Sequence, residues 1–243
     1  MGKLTGRVVL ITGGNKGIGK GIARGMAKEG ASLTITGRDD RALQETAAEL
    51  QSYGVDVLAT RSDVTDESAV KKVFAQTISK YGTLDILVNN AGAFDGGPID
   101  ELSTEAWDKV IAVNLRGPFL CTREAFRIMK EKKAGRIINI GSISAQRVRF
   151  NSAPYSASKH GLWGLTQVTA LEGREHGITC GCLHPGNVNV ERRETSEATE
   201  DQEPMMTVDE LAEVAVLMAT LPPHVNLLEA IALPKDQLYI GRG

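Results

Sequence analysis

Tyr155 and Lys159 are the two side chains whose types and spacing most suggest chemistry. They stand four residues apart within residues 154–159, which read Pro-Tyr-Ser-Ala-Ser-Lys. Residues i and i+4 lie on one face of a helix, so this spacing holds the phenol close to the ammonium. A nearby positive charge stabilises the phenolate, and the pair is therefore suited to donating and accepting a proton. Because such pairs are also common on helix surfaces, the neighbouring motifs must decide between the two interpretations.

A glycine-rich turn near the start of the chain suggests a phosphate site. Residues 12–19 read Thr-Gly-Gly-Asn-Lys-Gly-Ile-Gly and follow a β-branched, apolar stretch. Glycine lets the backbone turn tightly and approach a pyrophosphate, and a helix that begins there presents free N–H groups and a partial positive charge. Because the turn would join the first strand to the first helix, we predict a dinucleotide site, with an ordinary turn as the alternative.

The choice of dinucleotide should depend on a residue about twenty positions further along, at the end of the second strand. An acidic residue there would bind the adenosine ribose 2′-hydroxyl, whereas an Arg would accommodate a 2′-phosphate. Gly37 and Arg38 occupy that place, and Lys16 adds a second positive charge. The pattern favours NADP. Asp39 and Asp40 keep NAD as the alternative, in which Arg38 would be a solvated surface residue.

Short apolar stretches alternate with longer amphipathic ones along the chain. The pattern predicts strands at 7–12, 32–36, 55–59, 84–89, 135–140, 178–183 and 227–233, and helices at 18–29, 39–53, 67–81, 107–132, 154–175 and 207–220. We expect a kink in the helix at 107–132, at Gly117 and Pro118. Strand–helix alternation with continuously apolar strands indicates an α/β fold, a parallel sheet of about seven strands with helices on both faces.

Composition fits one such domain spanning residues 1–243. Hydrophobic residues make up 42% of the chain and charged residues 24%, and the net charge of −2 favours neither nucleic acid nor an anionic membrane as a partner. No apolar run approaches the roughly 20 residues of a membrane span, and no signal segment precedes the first strand, so we expect a cytoplasmic protein. Cys121, Cys180 and Cys182 are expected to be reduced, buried residues, and no metal site is predicted.

The segment 187–206 differs from the rest because it is polar and acidic, with six acidic residues and two arginines. We expect either a lid over the substrate or a solvated surface loop.

Five ordered motifs resemble the short-chain dehydrogenase/reductase family, in its compact single-domain branch. They are the glycine-rich turn, Asn-Asn-Ala-Gly at 89–92, Asn114, Ser142, and Tyr155 with Lys159; Pro185-Gly186 after the sixth strand also matches. The resemblance covers about residues 7–186. It implies a Rossmann-like doubly wound sheet and an NAD(P)-dependent alcohol dehydrogenase or carbonyl reductase. A homotetramer or homodimer is implied as well, the tetramer packing through the helices of Asn114 and Tyr155.

The resemblance also implies roles for individual residues. Tyr155 would be the general acid/base, Ser142 would bind the substrate oxygen, Lys159 the nicotinamide ribose, and Asn114 a water in a proton relay. Asp63 would contact the adenine. The implied cofactor-binding set is Gly13, Asn15, Lys16, Gly17, Ile18, Gly19, Arg38, Asp63, Val64, Asn90, Ala91, Gly92, Tyr155, Lys159, Pro185, Gly186 and Val188. Read singly, Asn114, Asp63 and Ser142 could each be caps or turn residues.

Two departures from the family pattern fall at the substrate end. The family often has a Thr four residues after the glycine of Pro185-Gly186, but this chain has Val190. The end of the chain also lacks the family's common Asp-Gly-Gly.

The substrate is expected to be a small carbonyl or alcohol compound of unspecified class. A non-catalytic dinucleotide-binding regulator and a sugar-nucleotide epimerase are the alternatives, the second disfavoured because 243 residues leave little room for its substrate domain. His160 and His184 are expected to be structural.

Overall fold

The computed structural model describes residues 2–191 and 203–239. Within them, seven parallel strands form one sheet in the order β3-β2-β1-β4-β5-β6-β7. The strands are β1 (Val8–Ile11), β2 (Ser32–Gly37), β3 (Val57–Arg61), β4 (Ile86–Asn89), β5 (Gly135–Ile140), β6 (Ile178–Pro185) and β7 (Glu229–Ala232). The helices are α1 (Gly17–Lys28), α2 (Asp40–Gln51), α3 (Glu67–Tyr81), α4 (Thr104–Ile111), α5 (Gly117–Lys132), α6 (Ala153–Gly173) and α7 (Val208–Thr220).

Helices cover both faces of the sheet, because alternate side chains of each strand point to opposite sides. In β1, Val9 and Ile11 pack into the apolar cluster that includes α1, α2 and α7. Val8 and Leu10 pack into the cluster that includes α3 and α5. The predicted Rossmann-like α/β fold, doubly wound around a parallel sheet, is therefore confirmed.

Strand order reverses between β1 and β4, and this reversal positions the candidate site. From β1 the chain proceeds outward to β2 and β3, then returns to pair β4 with β1, Val9 opposite Ile86. The connections on the two sides of β1 leave the sheet in opposite directions. They open a crevice at the carboxyl ends of the strands, which is where open α/β sheets bind ligands.

The structure corrects the predicted helix at 107–132. The helix begins earlier, at Thr104, where Ser103 accepts a hydrogen bond from the Ala106 N–H. A π-helical turn, Ala112–Arg116, then separates α4 from α5. Pro118 lacks the N–H that would bond to the carbonyl of residue 114, so the helix cannot continue with regular α-helical bonds at the place where a kink was predicted.

Other boundaries differ by a few residues. The strand predicted at 55–59 is displaced to Val57–Arg61, the sixth strand extends to Pro185, and the seventh is shorter than 227–233. Of the proposed lid at 187–206, residues 192–202 lie outside the described part of the chain. Its two described ends pair with each other: the Asn189 N–H donates to the Met206 carbonyl at 2.8 Å, and the Met206 N–H to the Asn187 carbonyl at 3.0 Å.

The three cysteines are buried and unpaired, as predicted. Burial raises the pKa of Cys121 and of Cys182 to about 12, which makes these thiols poor nucleophiles. Across residues 2–191 and 203–239, no helix is long and apolar enough to cross a membrane. The same residues contain no group of three or more His, Cys, Asp or Glu side chains arranged to hold a metal ion.

Candidate active site

The glycine-rich turn between β1 and α1 has a backbone that only glycine accommodates well. Gly13 and Gly17 have φ angles of +63° and +51°, in the left-handed region that favours glycine. A Cβ on Gly19 would lie 2.2 Å from the Gly13 carbonyl oxygen and 2.3 Å from Nδ2 of Asn90. The turn therefore packs tightly against the start of α1. It forms a backbone cradle that a side chain at position 19 would fill.

Hydrogen bonds fix this turn to the end of β4, across the reversal in strand order. The side-chain amide of Asn90 donates to the carbonyl oxygens of Thr12 and Gly13, both at 3.0 Å. The backbone N–H groups of Asn90 and Ala91 donate to Oγ1 of Thr12 at 3.0 and 3.1 Å. Thr12 was absent from the predicted site residues. Its signal in the sequence was a hydroxyl directly after an apolar strand.

The N-terminus of α1 has no cap from its own residues. Lys16 stands at the N-cap position without a side-chain hydrogen bond to the helix, and the first turn contains no acidic residue. By contrast, α2 is capped by Asp39 and α3 by Asp66. The N–H of Gly17 instead contacts the carboxylate of Glu191, at 3.1 and 3.2 Å from its two oxygens. This helix end is therefore suited to an anion, and sequence analysis did not identify Glu191 as part of it.

Two exposed cations lie at the carboxyl ends of β2 and β3. Arg38 comes directly after Gly37, the last residue of β2. Gly37 packs against the glycine-rich turn, since a Cβ on Gly37 would lie 2.3 Å from Oδ1 of Asn15. The Nε of Arg61 donates to the carbonyl of Arg38 at 3.2 Å, which brings the second cation to the same edge. Arg61 was not among the predicted site residues.

Asp63 and Val64 have local roles in this structure. Oδ1 of Asp63 accepts hydrogen bonds from the backbone N–H and the hydroxyl of Thr65, at 2.9 and 2.8 Å. Val64 is buried, and a Cβ on Gly117 would lie 2.8 Å from its Cγ2. One carboxylate oxygen of Asp63 therefore stabilises a local turn, which was the alternative to a cofactor contact. Contact of Asp63 with adenine stays a prediction.

Lys159 lies at the junction of β5 and α6. Its ammonium is buried, donates to the carbonyl of Ile140 at 2.8 Å, and lies 5.6 Å from the centroid of the Tyr155 ring. Ile140 ends β5, two residues before Ser142. Phe94 packs edge-on against Tyr155, with ring centroids 5.3 Å apart. The fold therefore brings the predicted Tyr–Lys pair to the carboxyl end of the strand that leads to Ser142.

The π-helical turn places Asn114 inside the protein. Its Nδ2 donates to the carbonyl of Ala93 at 2.8 Å and to Oγ of Ser158 at 3.2 Å, and its Oδ1 accepts the Ala93 N–H at 2.7 Å. Ser158 in turn donates to the carbonyl of Tyr155 at 2.7 Å. Asn114 thus connects the loop after β4 with the first turns of α6.

Comparison with known proteins identifies the family. The model of a family described as short chain dehydrogenase matches residues 7–201. The chain belongs to this family. It is accordingly an oxidoreductase.

Similar proteins support this assignment over nearly the whole chain. Levodione reductase of Leifsonia aquatica is 35% identical over 245 residues, which covers 98% of this chain and 91% of that protein. An uncharacterized oxidoreductase, YxjF of Bacillus subtilis (strain 168), is 37% identical over 234 residues, with coverage of 88% and 91%. Among solved structures, an actinorhodin polyketide ketoreductase with NADPH is 31% identical, with a TM-score of 0.89 and coverage of 97% and 100%.

Ser142 of this short-chain dehydrogenase is held by a buried imidazole. Nδ1 of His184 lies 2.9 Å from the carbonyl oxygen of Ser142 and 3.2 Å from its backbone nitrogen. Gly141 leaves room for the ring, since a Cβ there would lie 2.5 Å from Nδ1. Oγ of Ser142 accepts the Ser144 N–H at 3.1 Å. His184 is thus buried against the backbone of Ser142, while His160 is exposed and contacts the Ser156 carbonyl. A structural role for both histidines stays a prediction.

The Pro185-Gly186 motif of this short-chain dehydrogenase turns the chain from β6 toward α1. Gly186 packs so closely that a Cβ would lie 2.2 Å from Oε1 of Gln237, and the same oxygen accepts the Asn187 N–H at 2.8 Å. Val188 is buried and forms a β-bridge with Met206. This anchored stretch delivers residues 190 and 191 to the glycine-rich turn.

Proposed function

We propose that the protein transfers a hydride between NADP(H) and a carbonyl compound or secondary alcohol, with Tyr155 as the general acid/base. The observation that carries this proposal is the position of Lys159. Its buried ammonium is fixed by the Ile140 carbonyl beside the Tyr155 ring, at the end of the strand that leads to Ser142.

The residues around the crevice fit a dinucleotide. Three features suit a diphosphate: the cradle closed by Gly19, the left-handed Gly13 and Gly17, and the α1 N-terminus, which has no cap from its own residues. Asn90, Ala91 and Gly92 would line the middle of the crevice, and Pro185, Gly186 and Val188 its far side. When bound, the nicotinamide would supply or accept the hydride.

The side chains of this protein would manage the charge and the proton. In the reduction direction, negative charge grows on the substrate oxygen, and the hydroxyls of Ser142 and Tyr155 would donate hydrogen bonds to it. Loss of one such donor typically lowers the rate by about 10²- to 10³-fold. Proton transfer from Tyr155 would contribute roughly 10²- to 10⁴-fold, and Lys159 would favour the phenolate that remains. Asn114 would help to return the proton through a water.

NADP is preferred over NAD in this proposal because the acidic residues near β2 have other contacts. Asp39 caps α2 by accepting the Ala42 N–H at 3.1 Å, and Asp40 lies 3.9 Å from Nε of Arg61. The exposed cations Lys16 and Arg38 would bind a 2′-phosphate. The related ketoreductase structure that contains NADPH supports the same preference.

Replacement of Tyr155 tests the chemistry. We expect Tyr155→Phe to lose nearly all NADPH oxidation against a panel of carbonyl compounds while NADPH still binds, because the ring stays and only the hydroxyl is removed. Tyr53→Phe, at an exposed tyrosine after α2, is the matched control and should keep full turnover. Comparable turnover in the two variants would remove Tyr155 from the mechanism.

Charge reversal tests the choice of cofactor. The double variant Lys16→Ala with Arg38→Asp should shift the ratio of kcat/KM for NADPH and NADH toward NADH, since the 2′-phosphate loses its cations and the ribose gains a carboxylate. Lys130→Ala, on the exposed face of α5, is the control. An unchanged ratio would contradict the assignment of these residues.

Assembly through the outer helices is part of the same proposal. Several large apolar side chains are exposed on α4, α5 and α6, namely Trp107, Phe119, Val168 and Leu171. Burial of such a surface favours a symmetric oligomer, and we propose a homotetramer, with a homodimer as the smaller alternative. Light scattering after size-exclusion chromatography would measure the mass, and a monomer at micromolar concentration would contradict it.

A further inference from the structure

The carboxylate of Glu191 lies where an anionic ligand of α1 would bind. The Gly17 N–H, at the first position of the helix, points between its two oxygens at 3.1 and 3.2 Å. The two residues are 174 positions apart in the chain. This contact therefore results from the fold, and not from a local cap such as Asp39 or Asp66 provides to its own helix.

An anchored stretch of backbone brings Glu191 to this position. Asn187 and Val188 are buried, Gln237 accepts the Asn187 N–H, and Met206 pairs with both Asn187 and Asn189. Val190 packs on the turn itself, since a Cβ on Gly17 would lie 3.3 Å from its Cγ1. Glu191 follows directly, so its carboxylate is held at a high effective concentration beside the helix end.

Two cations of α1, Lys20 and Arg24, are already paired with other acidic residues. Lys20 contacts Glu49 at 2.8 Å, and Arg24 contacts both Glu49 and Asp209. The contact of Glu191 itself is with the Gly17 N–H, at the end of α1 that carries a partial positive charge. A diphosphate would need the same groups, and two anions cannot share them without repulsion.

We propose that Glu191 sets the affinity for the dinucleotide by occupying its diphosphate site. The carboxylate of Glu191 must leave the Gly17 N–H before the cofactor binds. This inference rests on the proposed dinucleotide-dependent function, and it adds a residue that opposes binding to a site whose other members favour it.

The test compares dissociation constants for NADPH, measured by fluorescence titration at low ionic strength. Glu191→Gln keeps the shape and removes the charge, and Glu191→Ala removes the contact. A carboxylate at a helix N-terminus contributes about 0.3–1 kcal/mol, so we expect NADPH to bind roughly two- to fivefold more tightly to E191Q. Glu131→Gln is the matched control, since this exposed residue at the end of α5 precedes the amino end of β5, whereas the crevice lies at the carboxyl ends of the strands. Its dissociation constant should equal that of the wild type.

A second probe separates the diphosphate from the rest of the cofactor. Inorganic pyrophosphate, measured as a competitor of NADPH, should bind more tightly to E191Q by a similar factor, and the gain should shrink at high salt. E191Q and E191A should melt near the wild-type temperature, because Glu191 is exposed. The variants therefore report on binding and not on folding.

The possible outcomes distinguish the inference from the function on which it rests. If the wild type binds NADPH and both variants bind it equally or more weakly, the inference is wrong and the proposed function stands. If wild type, variants and control all fail to bind NADPH and NADH, the proposed function is wrong and the inference fails with it.

Discussion

Buried His184 should make the stability of the protein depend on pH below neutrality. Burial lowers the pKa of His184 from its ordinary value of 6.5. The Ser142 carbonyl at 2.9 Å and the Glu229 carboxylate, 3.5 Å from Nε2, favour the protonated ring, and Lys159 opposes it. Because desolvation is the largest of these effects, the folded protein keeps the imidazole neutral at pH values where the unfolded chain has already taken up a proton.

The sign and size of the effect follow from proton linkage. Below pH 6.5 the unfolded state binds more protons than the folded state, so the free energy of unfolding falls as the pH falls toward the lower folded pKa. Above pH 6.5 the contribution of His184 is fully present. One proton gives a slope of at most about 1.4 kcal/mol per pH unit, which corresponds to roughly 3–6 °C in Tm per pH unit for a chain of this size.

The assay is urea unfolding at fixed protein concentration, from about pH 8 to pH 5, for the wild type and His184→Gln. Carboxylates titrate in both proteins, so the difference between the two curves isolates the imidazole. We expect the wild type to lose its advantage over His184→Gln as the pH falls. His224→Gln, at an exposed histidine in the loop after α7, should keep the wild-type slope.

Parallel stability curves for the wild type and His184→Gln would refute this reasoning. If His184→Gln does not fold, Glu229→Gln tests the same argument. Removal of the partly exposed Glu229 carboxylate takes away an interaction that favours the protonated ring. The acid-induced loss should then extend to lower pH, with stability above pH 6.5 unchanged. No change in the acid range would also contradict the proposed environment of His184.

Three further substitutions test the packing of the site, of helix α6 and of the sheet. Gly19→Ala should cost about 1–3 kcal/mol and weaken dinucleotide binding, because its Cβ would lie 2.2 Å from the Gly13 carbonyl oxygen. Gly164→Ala, in the exposed interior of α6 with open space at its Cβ, should instead stabilise by about 0.5–1 kcal/mol in the same urea assay. Arg136→Met should destabilise by about 1–3 kcal/mol, because three carbonyl oxygens of the loop after α7 lose their donor. Equal stability of this variant and the wild type would contradict that role.

Local sequence signals were sufficient for elements whose ends are fixed by their own residues. The helix predicted at 67–81 matches α3, which Asp66 caps and which Gly82 ends in the left-handed conformation. Thr207 and Glu210 form the predicted capping box of α7. In both cases the residues that determine the boundary lie within one turn of it, so no tertiary information is needed.

Features that depend on distant residues could not be predicted from the sequence. The contact between Gly17 and Glu191 needs the path of the chain after β6, and the contact between His184 and Ser142 needs the pairing of β5 with β6. The π-helical turn around Asn114 depends on its bonds to the loop after β4. The sequence pattern could place an interruption of the helix at Gly117 and Pro118. It could not show that this interruption turns the side chain of Asn114 into the protein.

The burial of Lys159 allows an experiment that distinguishes a proposed catalytic role from a structural one. A buried ammonium is costly unless a carboxylate compensates it. Across residues 2–191 and 203–239, the ammonium of Lys159 donates to the Ile140 carbonyl and lies near the Tyr155 ring, with no acidic side chain paired to it. Lys159→Met should therefore change the free energy of unfolding by less than about 1 kcal/mol, or raise it, while carbonyl reduction is lost. Urea unfolding and NADPH oxidation measure the two effects on one sample. A loss of stability above about 3 kcal/mol would show that the fold itself needs this charge, and the loss of turnover would then carry no mechanistic meaning.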